Sequence, residues 1–232
     1  MVNEHNTTLS LQIALGISLS LLPMPTRCLA PRLWYDRFVA HLTTLGFSSS
    51  KYDPSLFVYK RDTGVTYLLL YVDDIALTAS STVFLQCIIR ALCSEFKMTD
   101  LGVLHHFLGI AVSHNSSGLF LSQENYAVEL LDSAGMSNCN VVTTSIDKSA
   151  KLPTNASPSA ADPSAYRSMV GALQYLTFTR SALAFVVQQI CLRMHDPHEA
   201  HLLLIKHVLR DVKSTARFGL QLHRSSPSKL LA

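Results

Sequence analysis

The chain has no two cysteines at CxxC spacing, and it has few charged residues. Its five cysteines are an odd number and widely spaced, which excludes a regular disulfide framework and favours reduced thiols. Charged residues make up 15% of the chain and hydrophobic residues 48%, so the composition is not that of a disordered protein. The net charge of +3 permits contact with nucleic acid but is too small to predict it.

The N-terminal apolar run, residues 9–24, has no lysine or arginine before it. A signal peptide needs that positive charge, and the run is too short and too serine-rich for a membrane span. We therefore expect an intracellular protein, without secretion or membrane association. The sequence also has no GxSxG element, no P-loop and no dinucleotide-binding fingerprint, so no small-molecule cofactor is expected.

Hydrophobic periodicity becomes regular from Ala30 onward and indicates an α+β chain with a polar linker at residues 140–165. The predicted helices are 31–47, 82–97, 123–135, 164–177, 180–194 and 197–213. The predicted strands are 56–60, 65–72, 74–79, 106–113 and 118–122, with a tight turn at 61–64.

Two adjacent aspartates interrupt the apolar run LLLYVDDIAL at residues 68–77. Asp73 and Asp74 lie between two predicted strands, so we expect them at a hairpin turn, where aspartate is locally favoured. A carboxylate pair on a rigid hairpin also suits Mg²⁺, which prefers hard oxygen ligands and keeps positions open for phosphate. One hairpin cannot hold both ions of a two-metal site, so another strand must supply a further carboxylate. A solvated turn is the alternative.

Basic residues recur near the C-terminus at steps of four, three and four: Lys206, Arg210, Lys213 and Arg217. This stripe is either an ordinary solvated helix face or a contact for nucleic-acid phosphates, which would depend steeply on salt. Arg167 and Arg180 flank an apolar helix, where they either bind nucleic-acid backbone or cap helix ends.

A histidine cluster lies in the segment HDPHEAH, which begins at His195. The segment predicts a helix start with Asp196 as its cap and Pro197 at its first position. The triplet spacing of His195, His198 and His201 is not a usual zinc signature, and no cysteine is near. We expect these histidines to be solvated cap residues.

Six segments carry a family pattern: APRLWYDRF, YVDD, FKMTDLGVLHHFLGIAV, GLFLSQENYAVELLDSAGM, YRSMVGALQYLTFTR and LAFVVQQICLRMHDP. Together they closely resemble the reverse transcriptase region of copia-type LTR retrotransposon polyproteins. The likeness covers about residues 30–224.

The resemblance implies an RNA-directed DNA polymerase that adds nucleotides to a primer 3′-hydroxyl with Mg²⁺ or Mn²⁺. Its partners would be an RNA or DNA template–primer and deoxynucleoside triphosphates, in a cytoplasmic particle or the nucleus. Asp73 and Asp74 would be the catalytic metal ligands. The primer-binding residues would be Tyr71 beside the acidic turn and, in a primer-grip hairpin, Phe107, Leu108 and Gly109.

The same resemblance implies a fold made of a partial palm of antiparallel strands and helices, followed by a helical thumb and connection region. The expected divisions are an unrelated or mispredicted leader at 1–29, the partial palm at 30–122, the thumb start at 123–139, the linker at 140–165, the connection region at 166–224 and a tail at 225–232 that stops before the expected RNase H domain.

Two departures from the family pattern bear on activity. The family has another catalytic aspartate before the Ala-Pro segment, whereas Glu4 is the only acidic residue before Trp34 here. Cys28 and Leu29 replace the Lys-Gln that usually precedes that segment. We therefore expect a truncated fragment, from a frameshift, an altered splice or a decayed element, that does not extend a primer alone. The alternative function is that of a catalytically dead remnant, either inert or weakly nucleic-acid-binding.

Overall fold

The computed structural model describes residues 12–19, 30–61, 64–72, 74–141, 158–159 and 162–223. These residues divide into two compact units, one up to Leu108 and the other from Gly109 onward. Both units combine antiparallel strands with helices, which confirms the predicted α+β class. Asp73, most of the predicted linker and the predicted tail lie outside the described residues. Within the described ranges, no helix has the length and apolar character needed to cross a membrane.

The first unit is an antiparallel sheet covered by two helices, α1 (Ala30–Thr44) and α2 (Thr82–Glu95). Its described strands lie side by side in the order β2-β3-β4-β5-β1-β6. They are β1 (Gln12–Leu19), β2 (Ser48–Ser49), β3 (Leu56–Arg61), β4 (Gly64–Tyr71), β5 (Asp74–Ala79) and β6 (Met98–Val103).

The apolar stripes predicted for α1 and α2 form the core of this unit. Phe38 and Leu42 of α1 are fully buried, and so is Leu92 of α2, in one cluster with the sheet. Burial of each such side chain contributes about 1.5–3 kcal/mol. The predicted stop of α1 is confirmed at Gly46, whose φ of 94° is a left-handed conformation that favours glycine.

Strand β1 lies within the segment predicted to be a leader. It pairs antiparallel with β5 on one side and with β6 on the other. In this register Leu15 is opposite Leu77, and Ser18 is opposite Asp74. A backbone ladder requires only an extended chain with free N–H and C=O groups, so a segment without the family pattern is able to complete the sheet.

Residues 99–102, for which the sequence pattern predicts no strand, lie inside β6. Asp100 pairs with Ile17 of β1, and the register shifts between Leu15 and Ile17. A side-chain oxygen of Asp100 accepts a hydrogen bond from the N–H of Gly102 at 2.8 Å, and Gly102 has a φ of 73°. The turn-favouring residues therefore produce a local irregularity in a strand, and pairing with β1 overrides their preference.

A two-residue strand, β7 (His106–Phe107), leads into the second unit. This unit has a small antiparallel sheet, in which β10, β9 and β8 are neighbours in that order, and a helical core. The elements are β8 (Ile110–Asn115), β9 (Gly118–Ser122), α3 (Glu124–Ser133), α4 (Pro163–Leu176), a 3-10 turn at Ser181–Leu183, α5 (Ala184–Cys191), α6 (Glu199–Ser214) and β10 (Gly219–His223).

Strand β10 corrects the prediction that the region up to residue 224 is helical. It pairs with β9, with Gly219 opposite Ser122. A Cβ atom on Gly219 would clash with the carbonyl oxygen of Leu121. Only glycine therefore allows the two strands to approach in this register. The partner strand lies about a hundred residues earlier in sequence, so local periodicity does not reveal the pairing.

The start of α6 differs from the prediction in its cap. His198, not Asp196, is the N-cap, and its backbone N–H donates to Nδ1 of His201 at 3.0 Å. The prediction of solvated histidines is wrong for two of the three, because His198 and His201 are buried. Asp196 lies outside the helix, and its carboxylate is 3.1 Å from Nε2 of His198.

Both flanking arginines bind carbonyl groups of the protein. Buried Arg180 donates to the carbonyl oxygens of Val212 at 3.4 Å and Ala216 at 2.7 Å, at the C-terminal end of α6. Burial lowers the pKa of its guanidinium, and the nearby carboxylate of Asp211 acts in the opposite direction. Arg167 donates to the carbonyl oxygen of Met194 at 3.0 Å. Of the two alternatives for these arginines, helix capping is therefore the one that Arg180 fulfils, at the end of α6.

The buried hydroxyl of Tyr166 gives a prediction for the stability of the second unit. It donates to the carbonyl oxygen of Ile190 at 2.9 Å, and burial raises the pKa of Tyr166 to about 12. The folded state therefore keeps this proton to a higher pH than the unfolded state. Its contribution to stability is complete below about pH 10 and is lost as the pH rises toward 12.

We expect Tyr166→Phe to lower the free energy of unfolding by about 1 kcal/mol at pH 8, because one hydrogen bond is lost. The difference from wild type should shrink as the pH rises from 10 toward 12. Urea denaturation followed by circular dichroism measures both effects. Tyr52→Phe is the control, because the ring of Tyr52 is 97% exposed. A constant difference between wild type and Tyr166→Phe across that pH range would contradict the prediction.

Candidate functional site

The acidic turn connects β4 to β5 through the shortest common hairpin loop. Tyr71 and Asp74 form the last cross-strand pair, so two residues connect the strands, and Val72 is the described one. This confirms the predicted hairpin. The side chains of Tyr71 and Asp74 are exposed, whereas Leu70 and Ile75, the next pair, are buried. The carboxylate of Asp74 therefore lies at the boundary between the core and solvent.

Val72 adopts a backbone conformation that valine rarely tolerates, with a φ of 51°. Two-residue hairpin loops need a positive φ at their first position, and glycine, asparagine or aspartate usually supplies it. A β-branched residue there is a genuine outlier, with a cost on the order of 1–3 kcal/mol. Strain of this kind persists only where the surrounding structure over-determines the conformation, and it is concentrated at functional sites.

A short turn before β3 is hydrogen-bonded to the hairpin one pair away from its loop. The N–H of Leu70 in β4 donates to the carbonyl oxygen of Ser55 at 2.9 Å. The backbone N–H and the hydroxyl of Ser55 both donate to the Asp53 carboxylate, at 2.9 and 2.5 Å. These hydrogen bonds hold the pKa of Asp53 below its usual value. These hydrogen bonds among Asp53, Ser55 and Leu70 form a brace that the sequence motifs do not predict, although Asp-Pro-Ser is a recognisable turn signal.

The strand beside the acidic turn brings no carboxylate to it. Ser18 of β1 is opposite Asp74 on one side and opposite Thr99 of β6 on the other. No residue of β1 is acidic. In the part of the chain that the structure describes, no group of three or more His, Cys, Asp or Glu residues is arranged to hold a metal ion.

The donor set at the turn nevertheless fits a hard cation. Mg²⁺ keeps several waters and is commonly bound by one or two protein carboxylates together with substrate phosphates. The Asp74 carboxylate is exposed, with neighbouring backbone held in a sheet, so it is available to such an ion. Asp73 supplies a second carboxylate next to it in sequence.

The predicted primer-grip segment has a second turn of the same kind. The predicted strand 106–113 is interrupted there, because Leu108 has a φ of 52° and Gly109 a φ of 74°. Phe107 before them is half-buried. Among the described residues, Val72 and Leu108 are the two non-glycine residues with positive φ. The Tyr-Val-Asp-Asp motif and the predicted primer-grip segment therefore each contain one residue with a strained backbone.

The four basic residues do not form a single stripe. Helix α6 ends at Ser214, so Arg217 lies beyond it, where its Nε is 3.3 Å from a carboxylate oxygen of Glu124. Lys213 donates through Nζ to the carbonyl oxygen of Cys139 at 2.7 Å. Lys206 is exposed on α6, and Arg210 is half-buried. The basic periodicity extends past the end of α6 because Ser214 and Thr215 are not stop signals in the sequence.

Comparison with known proteins identifies the family. The family model described as reverse transcriptase (RNA-dependent DNA polymerase) matches residues 26–148. This match contains the acidic turn, the brace and the second turn, and it covers more than half of the 232 residues. No solved structure matches the chain significantly.

Three relatives are informative. An uncharacterized mitochondrial protein of Arabidopsis thaliana is 50% identical over 69% of this chain and 66% of its own length. The retrovirus-related Pol polyprotein from transposon RE1 of the same plant is 38% identical over 88% of this chain and 14% of the polyprotein. A putative transposon Ty5-1 protein of Saccharomyces cerevisiae is 26% identical over 85% of this chain and 65% of that protein.

The chain thus spans about two thirds of the plant mitochondrial protein and about one seventh of the Pol polyprotein. The family model and the transposon relatives confirm the resemblance to copia-type elements that the sequence motifs indicate. The chain belongs to the reverse transcriptase (RNA-dependent DNA polymerase) family.

Proposed function

We propose that this chain carries the metal-binding hairpin of an RNA-directed DNA polymerase, which adds deoxynucleotides to a primer 3′-hydroxyl. The observation that carries the proposal is the strained Val72 loop, which holds the Tyr-Val-Asp-Asp sequence at the end of a buried hairpin. Strain at an exposed acidic turn has no benefit for stability, so a requirement on the position of the carboxylates explains it best.

In this proposal Asp73 and Asp74 hold Mg²⁺ or Mn²⁺ together with the phosphates of an incoming nucleotide. The bound ions would neutralise charge on the attacking and leaving oxygens of phosphoryl transfer. Tyr71, which is 54% exposed beside the turn, contacts the primer end. Phe107, Leu108 and Gly109 act as the primer grip, and the fixed backbone of a tight turn suits that positioning role.

The remaining regions take the roles that the family pattern gives them. Residues 30–122 belong to a partial palm, residues 123–139 to the start of the thumb and residues 166–224 to the connection region. Lys206, Arg210, Lys213 and Arg217 contact the backbone of the template–primer, a sequence-independent interaction through phosphates. The proposal requires nucleic acid and deoxynucleoside triphosphates as partners and no organic cofactor.

A second candidate function, template–primer binding without catalysis, rests on the ligand count. Two-metal transfer needs a carboxylate from beyond the hairpin, and the described residues provide no group of three metal ligands. Salt-dependent binding with no primer extension would favour this function. Extension of a DNA primer on an RNA template that needs Mg²⁺ and is lost in Asp73→Asn would favour the polymerase.

Metal binding by the hairpin is testable without activity. We expect Mn²⁺ to broaden the amide NMR signals of Tyr71, Asp74 and Ile75 in the full chain, because a paramagnetic ion relaxes nearby nuclei. The double variant Asp73→Asn, Asp74→Asn should abolish this broadening. Asp36→Asn, which changes an exposed aspartate on α1, is the matched control and should leave it intact. Broadening that persists in the double variant would refute a metal site at the turn.

The strain at Val72 predicts that the wild-type loop is not the most stable one. We expect Val72→Asn to raise the free energy of unfolding by about 1 kcal/mol, because asparagine tolerates a positive φ. Urea denaturation monitored by the fluorescence of Trp34, which lies in the same unit, measures the change. The control is Val83→Asn, at an exposed valine in α2. A loss of stability in Val72→Asn, or an equal gain in both variants, would show that the loop is unstrained.

A further inference from the structure

The brace beside the acidic turn is connected on its other side to helix α1. The hydroxyl of Tyr35 in α1 donates to the carbonyl oxygen of Pro54 at 3.1 Å. Tyr35 belongs to the segment APRLWYDRF, to which the proposed polymerase function assigns no role. The hydrogen bond therefore links that segment to the turn that holds β4.

The turn between α1 and β4 is a closed β-turn. The N–H of Leu56 donates to the carbonyl oxygen of Asp53 at 3.1 Å, and Pro54 occupies the second position, where its ring presets φ. The Asp53 carboxylate accepts from Ser55 inside the same turn, so a side chain supports the turn that contains it. The carbonyl groups of Pro54 and Ser55 are therefore held by a rigid turn.

Two successive carbonyl groups of this turn accept hydrogen bonds from different elements. The Pro54 oxygen accepts from Tyr35 of α1, and the Ser55 oxygen accepts from the N–H of Leu70 in β4. Leu70 is next to the cross-strand pair that flanks the acidic loop. A continuous path of hydrogen bonds and chain therefore leads from α1 to the end of the hairpin.

Helix α1 is held in place by its buried face. The rings of Trp34 and Phe38 are stacked, with centroids 5.2 Å apart. Phe38 is fully buried, and Tyr35 packs partly buried against the same cluster. Close-packed interiors have low compressibility, so they transmit a displacement instead of absorbing it. The position of the Tyr35 hydroxyl is therefore set by the core of the first unit.

We infer that Tyr35 and Asp53 are positioning residues for the acidic turn, acting through the turn that binds the end of β4. The inference rests on the metal-binding role proposed for that turn, and neither residue contacts the ion itself. Outer partners of this kind orient the groups that bind a metal, and their loss commonly weakens metal binding. The brace also accounts for the strain at Val72, because a hydrogen bond on the outer edge of β4 restrains the strand just before the loop.

The first experiment needs no metal and measures the coupling between the brace and the loop. We expect Val72→Asn to raise the urea midpoint of the full chain, and to raise it only about half as much when Asp53→Ala is also present, because the loop then relaxes by itself. Asp53 is exposed, so its replacement leaves the core intact. Asp36→Ala, at an exposed position of α1, is the matched background and should leave the full gain. Equal effects of Val72→Asn in all three backgrounds, including no effect in any, overturn the inference.

The second experiment measures the Mn²⁺ concentration that half-broadens the amide NMR signal of Asp74. We expect Tyr35→Phe and Asp53→Ala each to raise this concentration about tenfold. Asp53→Asn should restore most of the wild-type value, because an amide oxygen can replace the one carboxylate oxygen that accepts both bonds from Ser55. An unchanged concentration in Tyr35→Phe and Asp53→Ala contradicts the inference.

Two control variants separate positioning from a general loss of stability. Tyr52→Phe removes the hydroxyl from a ring that is 97% exposed, just before the same turn. Arg37→Ala breaks a different contact of α1, the salt bridge to Glu95 of α2. Both variants should leave the Mn²⁺ concentration unchanged, and an effect of Arg37→Ala equal to that of Tyr35→Phe overturns the inference. Absence of broadening in wild type refutes the proposed metal site, and the first experiment then decides whether the brace positions the loop.

Discussion

The hydrogen-bonded register between β4 and β5 is the constraint on which the site depends. Six cross-strand pairs run from Thr66 and Ala79 to Tyr71 and Asp74, and the two-residue loop leaves no slack between them. A slip of one residue would move Leu68 and Leu70 out of the core and turn the opposite face inward. Burial of alternate apolar residues thus determines the position of an acidic turn that is itself exposed.

Sequence patterns predicted the parts of this protein whose causes are local. The hairpin follows from the apolar, strand-forming runs on both sides of Asp73, and the end of α1 follows from Gly46. Strands β1, β6 and β10 depend on partners distant in the chain, so short-range signals missed or misassigned them. Asp100 and Gly102 of β6 locally favour a turn rather than a strand. The burial of His198 and His201 and the end of α6 before Arg217 are likewise set by tertiary packing.

The second unit shows how a buried charge organises one end of a helix. Arg180 is almost fully buried and donates to backbone carbonyls and to the Thr215 hydroxyl where α6 ends. Such charge-assisted hydrogen bonds are stronger than neutral ones, and they satisfy carbonyls that have no partner within the helix. The arrangement offsets the desolvation of the guanidinium and fixes α6, the helix that carries Arg210 and Lys213.

The position of β1 has a consequence for how the sheet tolerates change. The neighbouring strands interact with its backbone, and a backbone ladder is largely indifferent to which side chains the inserted strand brings. Without such an insert, β5 and β6 would each present an open edge, and open edges recruit strands from other molecules. Pairing with β1 therefore covers the edges of β5 and β6 beside the acidic turn. Sequence divergence in residues 12–19 is compatible with an unchanged sheet.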